Sequence, residues 1–205
     1  DTDDLPFPVF RHQSVLLRQL GDVDMALQHN KVVNLELAAS RLDGVVIAAG
    51  VVAFGELASA DDAIVEELFL TNVLGPLWLA RRVLAPLAAT KGFFAAITGV
   101  VAEQSLPGIV AYSASKAALI ALTKSLAKEL ATKGVMVNAI TPAAAKTAMF
   151  ATMAQSHIDF MLSKIPMGRF LEVNEAAAMI AWLASEDCSF STGAVFDLSG
   201  GRATY

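Results

Sequence analysis

Hydrophobic residues along this chain fall into two kinds of segment. Short, dominantly apolar runs occupy residues 45–49, 93–97, 135–140 and 194–198, with a weaker one at 15–17. Runs of that length with little polar alternation suit strands covered on both faces, as in a parallel sheet. The longer stretches between them carry a helical period. Ile64, Leu68, Val73, Leu77, Ala80 and Leu84 follow one stripe, and Leu119, Leu122, Leu126 and Leu130 a second. Opposite the second stripe stand Lys124, Lys128 and Glu129, the charged face of a helix lying on a core. Pro86 is expected to limit the first helix, and Gly134 to supply a left-handed cap after the second. Strands alternating with helices predict an α/β layered fold with right-handed crossovers. Ligands in such folds bind beyond the carboxyl ends of the strands. That directs attention to Ala49-Gly50, Thr98-Gly99, Thr141-Pro142-Ala143 and Ser199-Gly200-Gly201.

Composition narrows the classes of function. The chain has 205 residues, 55% hydrophobic and 17% charged, which fits one domain with a large interior and further burial between subunits. The net charge of -5 and the lack of a basic block argue against nucleic-acid binding. No apolar run is long enough to predict a membrane span. The opening Asp1-Thr2-Asp3-Asp4 carries no secretory signal, so a cytoplasmic protein is expected. Cys188 is the only cysteine; an internal disulfide and a thiolate metal cluster are both excluded. Nothing near it in sequence would lower its pKa for nucleophilic work. His12, His29 and His157 show no ligand spacing, and no metal site is expected.

The chemistry concentrates in Tyr112-Ser113-Ala114-Ser115-Lys116. Residues four apart share a helix face, so phenol and ammonium can reach one point. A nearby cation lowers a phenol's pKa from near 10 and lets it exchange protons at neutral pH. Such pairs are also common on solvated helices, so this one gains its meaning from its surroundings. The same segment fits Ser-x-x-Lys, the nucleophile pair of penicillin-recognising acyl enzymes. That family also requires Ser-Asp-Asn and Lys-Thr-Gly; here there is no Ser-Asp-Asn, and Lys146-Thr147-Ala148 lacks the glycine.

The surroundings, in order, are a strand ending in Ala49-Gly50, Asn72 within a helix, a strand ending at Thr98, Pro107-Gly108 before the tyrosine, Val137-Asn138-Ala139-Ile140-Thr141-Pro142 after it, and Asp197-Leu198-Ser199-Gly200-Gly201 near the end. This order and spacing resembles the short-chain dehydrogenase/reductase family from about Val15 onward. The resemblance implies a Rossmann-like doubly wound parallel sheet and hydride transfer between NAD or NADP and an alcohol or ketone. It makes Tyr112 the general acid/base. Lys116 would lower the tyrosine's pKa and bind the nicotinamide ribose, and Asn72 would hold a water in a proton relay. Ala49 and Gly50 would approach the cofactor ribose, Asp22 and Val23 the adenine. Pro142, Ala143, Ala145 and Thr147 would face the nicotinamide and phosphates. Residues 150–170 would form an apolar substrate lid or an interface. A homo-oligomer is implied, the tetramer foremost, with Ala117, Ala118 and Ala121 permitting close helix approach. The substrate and the choice between NAD and NADP are not legible.

Four departures accompany the resemblance. The family opens with a strand, a Gly-rich phosphate-binding turn and a helix, whereas the only glycines before Gly50 are Gly21 and Gly44. Residues 1–205 are therefore expected to form a single domain without its first strand-helix-strand unit, with an apolar sheet edge. The family's carbonyl-orienting serine is Gly99 here; Thr98 points to the opposite face, and Ser105 lies in the following loop. Ile47-Ala48-Ala49-Gly50 stands where Asn-Asn-Ala-Gly is usual, and Pro142-Ala143 where Pro-Gly is usual. An impaired enzyme, or an inactive relative serving as a binding or assembly subunit, is the alternative these changes raise.

Overall fold

A computed structural model describes residues 9–12, 15–18, 41–146 and 153–204. Seven strands are present among them: β1 (Val9–His12), β2 (Val15–Arg18), β3 (Gly44–Ile47), β4 (Gly50–Ala53), β5 (Phe93–Ile97), β6 (Met136–Pro142) and β7 (Val195–Leu198). The helices are α1 (Asp62–Phe69), α2 (Gly75–Thr90), α3 (Val110–Leu130), α4 (Gln155–Ser163) and α5 (Val173–Leu183). The main sheet has the order β2-β3-β5-β6-β7, and β3, β5, β6 and β7 are mutually parallel.

Why the apolar runs became parallel strands is visible in their burial. Successive side chains of a strand point to opposite faces. Val45 and Ile47 of β3, Phe94 and Ala96 of β5, and Val137 of β6 join Leu79, Val83 and Leu87 of α2 and Leu119, Leu126 and Leu130 of α3 in one core. The alternate residues Val46, Ala95 and Ile140 face the other way, onto Leu183 of α5 and Cys188. Both faces are covered, so neither tolerates a regular polar register, and the α/β doubly wound arrangement follows. Asn138 is the polar interruption in β6. It is satisfied by the chain entering β7: its amide donates to Ser191 O at 2.7 Å, and Ala194 N donates to its Oδ1 at 3.1 Å.

Two expectations are corrected. Residues 15–17 do form a strand, but β2 runs antiparallel to β3, pairing Val15 with Ile47 and Arg18 with Gly44. Pro86 does not end its helix; α2 continues to Thr90 and stops at Lys91, whose φ of 54° and ψ of 42° are left-handed. A proline removes only its own N–H bond and crowds one carbonyl. Here the final turn is tied instead by Thr90, whose hydroxyl donates to Leu42 O at 2.6 Å. Gly134 is left-handed as expected, at φ 76°, after one 3₁₀ turn beyond α3.

The stripe from Ile64 to Leu84 becomes one nearly continuous helical rod. Asp61 caps α1 by accepting from Ala63 N at 2.8 Å, and residues 70–74 form a π turn joining α1 to α2. The rod of 29 residues is long and apolar enough to cross a membrane by length and composition alone, which the run-by-run reading of the sequence did not register. Of the stripe read from the sequence, Leu68 and Ala80 are buried while Leu77 is 44% exposed. The face that packs into the core carries Leu79, Ala80, Val83 and Leu87 instead, because the π turn shifts the register of the rod.

Candidate active site

The site assembles at the carboxyl ends of the parallel strands, where a π turn, two strand ends and the first turns of α3 meet. A π turn places one extra residue in a helical turn and re-aims side chains. Asn72 sits in it, fully buried. Its Oδ1 accepts from Val51 N at 2.9 Å, and its Nδ2 donates to Val51 O and to Ser115 Oγ, both at 2.9 Å. The Ser115 hydroxyl in turn donates to Tyr112 O at 2.7 Å. One amide thus ties β4 to the helix that carries Tyr112 and Lys116.

Lys116 is buried, and its ammonium donates to Ile97 O at 3.3 Å, at the end of β5. It lies 5.8 Å from the centroid of the Tyr112 ring. Gly50 explains how it fits. A methyl group at that position would come within 3.1 Å of Lys116 Nζ and 3.4 Å of Asn72 Oδ1. A side chain at Gly50 would thus press on the ammonium, which would have to give by a few tenths of an ångström.

The electrostatics correct one expectation. Burial pushes the Lys116 ammonium down to about 8, because desolvation disfavours the charged form. Burial likewise pushes the Tyr112 phenol up to about 12 rather than down, even though its ring is only partly hidden from solvent. A cation 5.8 Å from the ring centroid, itself desolvated, does not offset the removal of water from the phenolate. Any lowering of Tyr112 has to come from further charge or hydrogen bonds brought to the phenolate.

Around Tyr112 the hydroxyls are unevenly placed. Gly99, with φ 142° and ψ 146°, follows β5, and a Cβ there would sit 4.0 Å from Tyr112 Oη and 3.7 Å from Val101 Cγ2. A side chain at position 99 would thus point into the space beside the phenol. Thr98 is turned into the protein, its Oγ1 donating to Ile140 O at 2.9 Å. Ser105 donates to Ser113 Oγ at 2.9 Å.

The remaining candidates divide. Ala49 is buried beside Gly50. Pro142 ends β6, and Ala143 is buried, its N–H donating to Leu198 O at 3.1 Å. Ala145 pairs with Leu171 in an isolated bridge. Ala143, Val100, Ile165 and Ala203 form a third apolar cluster, so the loop after β6 is held against the lid segment and the C-terminal turn. That turn contains Gly200 and Gly201 at φ 64° and 87°; a Cβ on Gly200 would meet Ile165 Cγ2 at 2.8 Å. Asp22, Val23 and Thr147 lie outside the described residues. Sequence reasoning assigned no role to Ser115. Its place one helical turn before Leu119 of the buried stripe was the available signal, but its partner Asn72 is 43 positions away. Among the described residues no cluster of histidine, cysteine or acidic groups is arranged to hold a metal.

A family model described as enoyl-(acyl carrier protein) reductase matches residues 20–203. The chain belongs to the short-chain dehydrogenase/reductase family. It is 46% identical over 134 residues to the 2-dehydro-3-deoxy-L-rhamnonate dehydrogenase (NAD(+)) of Sphingomonas sp. strain SKA58, covering 64% of this chain and 54% of that protein. It is 36% identical over 152 residues to the acetoacetyl-CoA reductase of Cupriavidus necator, covering 73% and 60%. It is 31% identical over 169 residues to a 3-oxoacyl-(acyl-carrier-protein) reductase of Rickettsia conorii, covering 82% and 70%. The chain thus spans 54% of the length of the first of these relatives and 70% of the last.

Proposed function

We propose that this protein is an NAD(P)-dependent oxidoreductase that moves hydride between a nicotinamide and the carbon of an alcohol or ketone. The observation that carries the reading is the buried Lys116 ammonium beside Tyr112, packed against Gly50 at the start of β4. The residues fit the nicotinamide-ribose half of such a cofactor. A buried ammonium has three donors, one of which goes to the Ile97 carbonyl; the vicinal hydroxyls of a ribose match the rest. The cofactor, when bound, supplies the hydride chemistry. Tyr112 Oη gives or takes the proton on the substrate oxygen. Lys116 holds the ribose and places positive charge near the phenolate. Asn72 positions α3 against β4 through Ser115 and Val51, and is the residue of the relay. Ala49, Gly50, Pro142, Ala143, Ala145 and Thr147 line the cofactor in this reading, and Asp22 and Val23 meet its adenine.

The reading includes a homo-oligomer, the tetramer foremost, working in the cytoplasm. Leu74 and Leu77 on the helical rod and Val110 at the start of α3 are 39%, 44% and 49% exposed, apolar surface that a second copy would cover. The one thiol, Cys188, is buried and free.

Titration of NADH and NADPH fluorescence against the chain, with intact mass confirmed, tests the reading. Saturable binding is expected, lost in Lys116→Met, with turnover lost in Tyr112→Phe while binding persists. A folded chain that binds neither nucleotide overturns it.

A further inference from the structure

The space beside the Tyr112 hydroxyl is shaped by a missing side chain. A Cβ on Gly99 would stand 4.0 Å from Tyr112 Oη, and among the described residues its other near neighbour is Val101 Cγ2 at 3.7 Å. The two hydroxyls flanking Gly99 are spoken for, Thr98 by the Ile140 carbonyl and Ser105 by Ser113. When a carbonyl is reduced, negative charge develops on its oxygen. A single preorganised donor to such an oxygen is worth about 10²–10³ in rate. Tyr112 is one donor, and among the described residues the ground beside it at Gly99 is bounded by Val101.

We propose that the substrate carries the second donor itself: it is an α-hydroxy carbonyl, whose neighbouring hydroxyl occupies the space left by Gly99. This deepens the hydride-transfer reading above and rests on it. A hydroxyl and a methyl group have similar volume, so the space alone admits either. The energetics separate them. One methylene in an apolar pocket discriminates by about 10–200-fold, and the wall here offers one valine methyl. A hydroxyl fills the same volume and also donates to the developing oxyanion in the transition state, where selectivity for rate is set. The step balances without further reagents. The carbonyl carbon gains a hydride, the nicotinamide leaves oxidised, and the oxygen gains the proton of Tyr112. The substrate's own hydroxyl donates a hydrogen bond and keeps its proton. In the reverse direction the same site takes a vicinal diol.

Gly99 has φ 142°, a region that L residues rarely adopt, so a side chain at this position requires a local adjustment of the backbone.

The experiment compares kcat/KM for matched pairs on the unmodified chain with NADH and with NADPH: hydroxyacetone against 2-butanone, and acetoin against 3-methyl-2-butanone. The first of each pair is expected to exceed the second by about 10²-fold or more. In Gly99→Ser the ratio is expected to fall toward one, because the protein then supplies the donor and fills the space. Gly99→Ala controls for volume, with circular dichroism reporting whether either variant folds. Methoxyacetone, which keeps the inductive pull of the oxygen but has no hydrogen to donate, separates hydrogen bonding from intrinsic carbonyl reactivity: hydroxyacetone must exceed it as well, whatever the variants do, and equal values overturn the proposal. Equal or inverted ratios with turnover intact overturn the proposal and leave the hydride-transfer reading standing. Binding of nucleotide with no reduction of either hydroxy ketone overturns the proposal and leaves the hydride-transfer reading standing, since that reading fails only if neither nucleotide binds.

Discussion

Lys116 and Gly50 form a unit in which each residue's identity depends on the other. A Cβ on Gly50 would sit 3.1 Å from Lys116 Nζ, closer than a carbon and an ammonium nitrogen pack comfortably. Gly50→Ala is therefore expected to shift the lysine tip by a few tenths of an ångström and to lower nucleotide affinity, read by the same fluorescence titration; unchanged affinity refutes the coupling. Lys116 also leaves a signature in stability. Its ammonium is held at about 8 when folded against an ordinary 10.5. Between those values the unfolded chain binds more protons than the folded one, so stability rises with pH from about 8 to 10.5. Tyr112 acts in the opposite sense above that window, because its folded phenol titrates near 12. Urea unfolding of the native chain and of Lys116→Met at several pH values isolates the lysine: the upward slope is expected in the first and absent in the second. The pairing of Tyr112 with Lys116 was legible in sequence, because a spacing of four on a helix fixes their proximity. The direction of the tyrosine's shift was not, because it depends on how much water the assembled site removes.

At the scale of elements, the π turn at 70–74 and the first turn of α3 are joined by an amide. Asn72→Ala strips partners from Val51 N, Val51 O and Ser115 Oγ. Leaving a buried polar group unpaired costs about 1–3 kcal/mol, so the variant is expected to lose about 2–5 kcal/mol in chemical denaturation and to loosen the position of Tyr112. Asn72→Asp tests the same tie differently: Val51 O and the Ser115 hydroxyl each lose a donor, and a charge is buried. Helix periodicity placed Asn72 within a helix, yet no periodicity reveals a π turn, since one extra residue shifts the stripe by less than its own width. Pro86 shows the same limit. The proline rule describes a local hydrogen bond, and the tether from Thr90 to Leu42 that closes α2 is a contact between residues 48 positions apart.

For the molecule as a whole, stability rests on a sheet covered on both faces. Leu87 is completely buried between α2 and the β3–β5–β6 face. Leu87→Ala is expected to cost about 2–5 kcal/mol, measured as a fall in the urea midpoint with unchanged slope. What the sequence determined by itself is the layered plan and the proximity of Tyr112 to Lys116. Continuous apolar runs define strands buried on both sides, 3.6-residue stripes define the helices between them, and both are short-range regularities that any fold containing them must respect. What only the tertiary structure decided is everything that joins distant segments. It set the antiparallel pairing of β2, the amide bridge from Asn72 to Ser115, the commitment of Thr98 and Ser105 to other partners, and the open space left by Gly99 beside Tyr112. Those depend on which surfaces meet when the layers close. A one-dimensional pattern records which face a residue occupies, but the group waiting on the opposite face is chosen by packing.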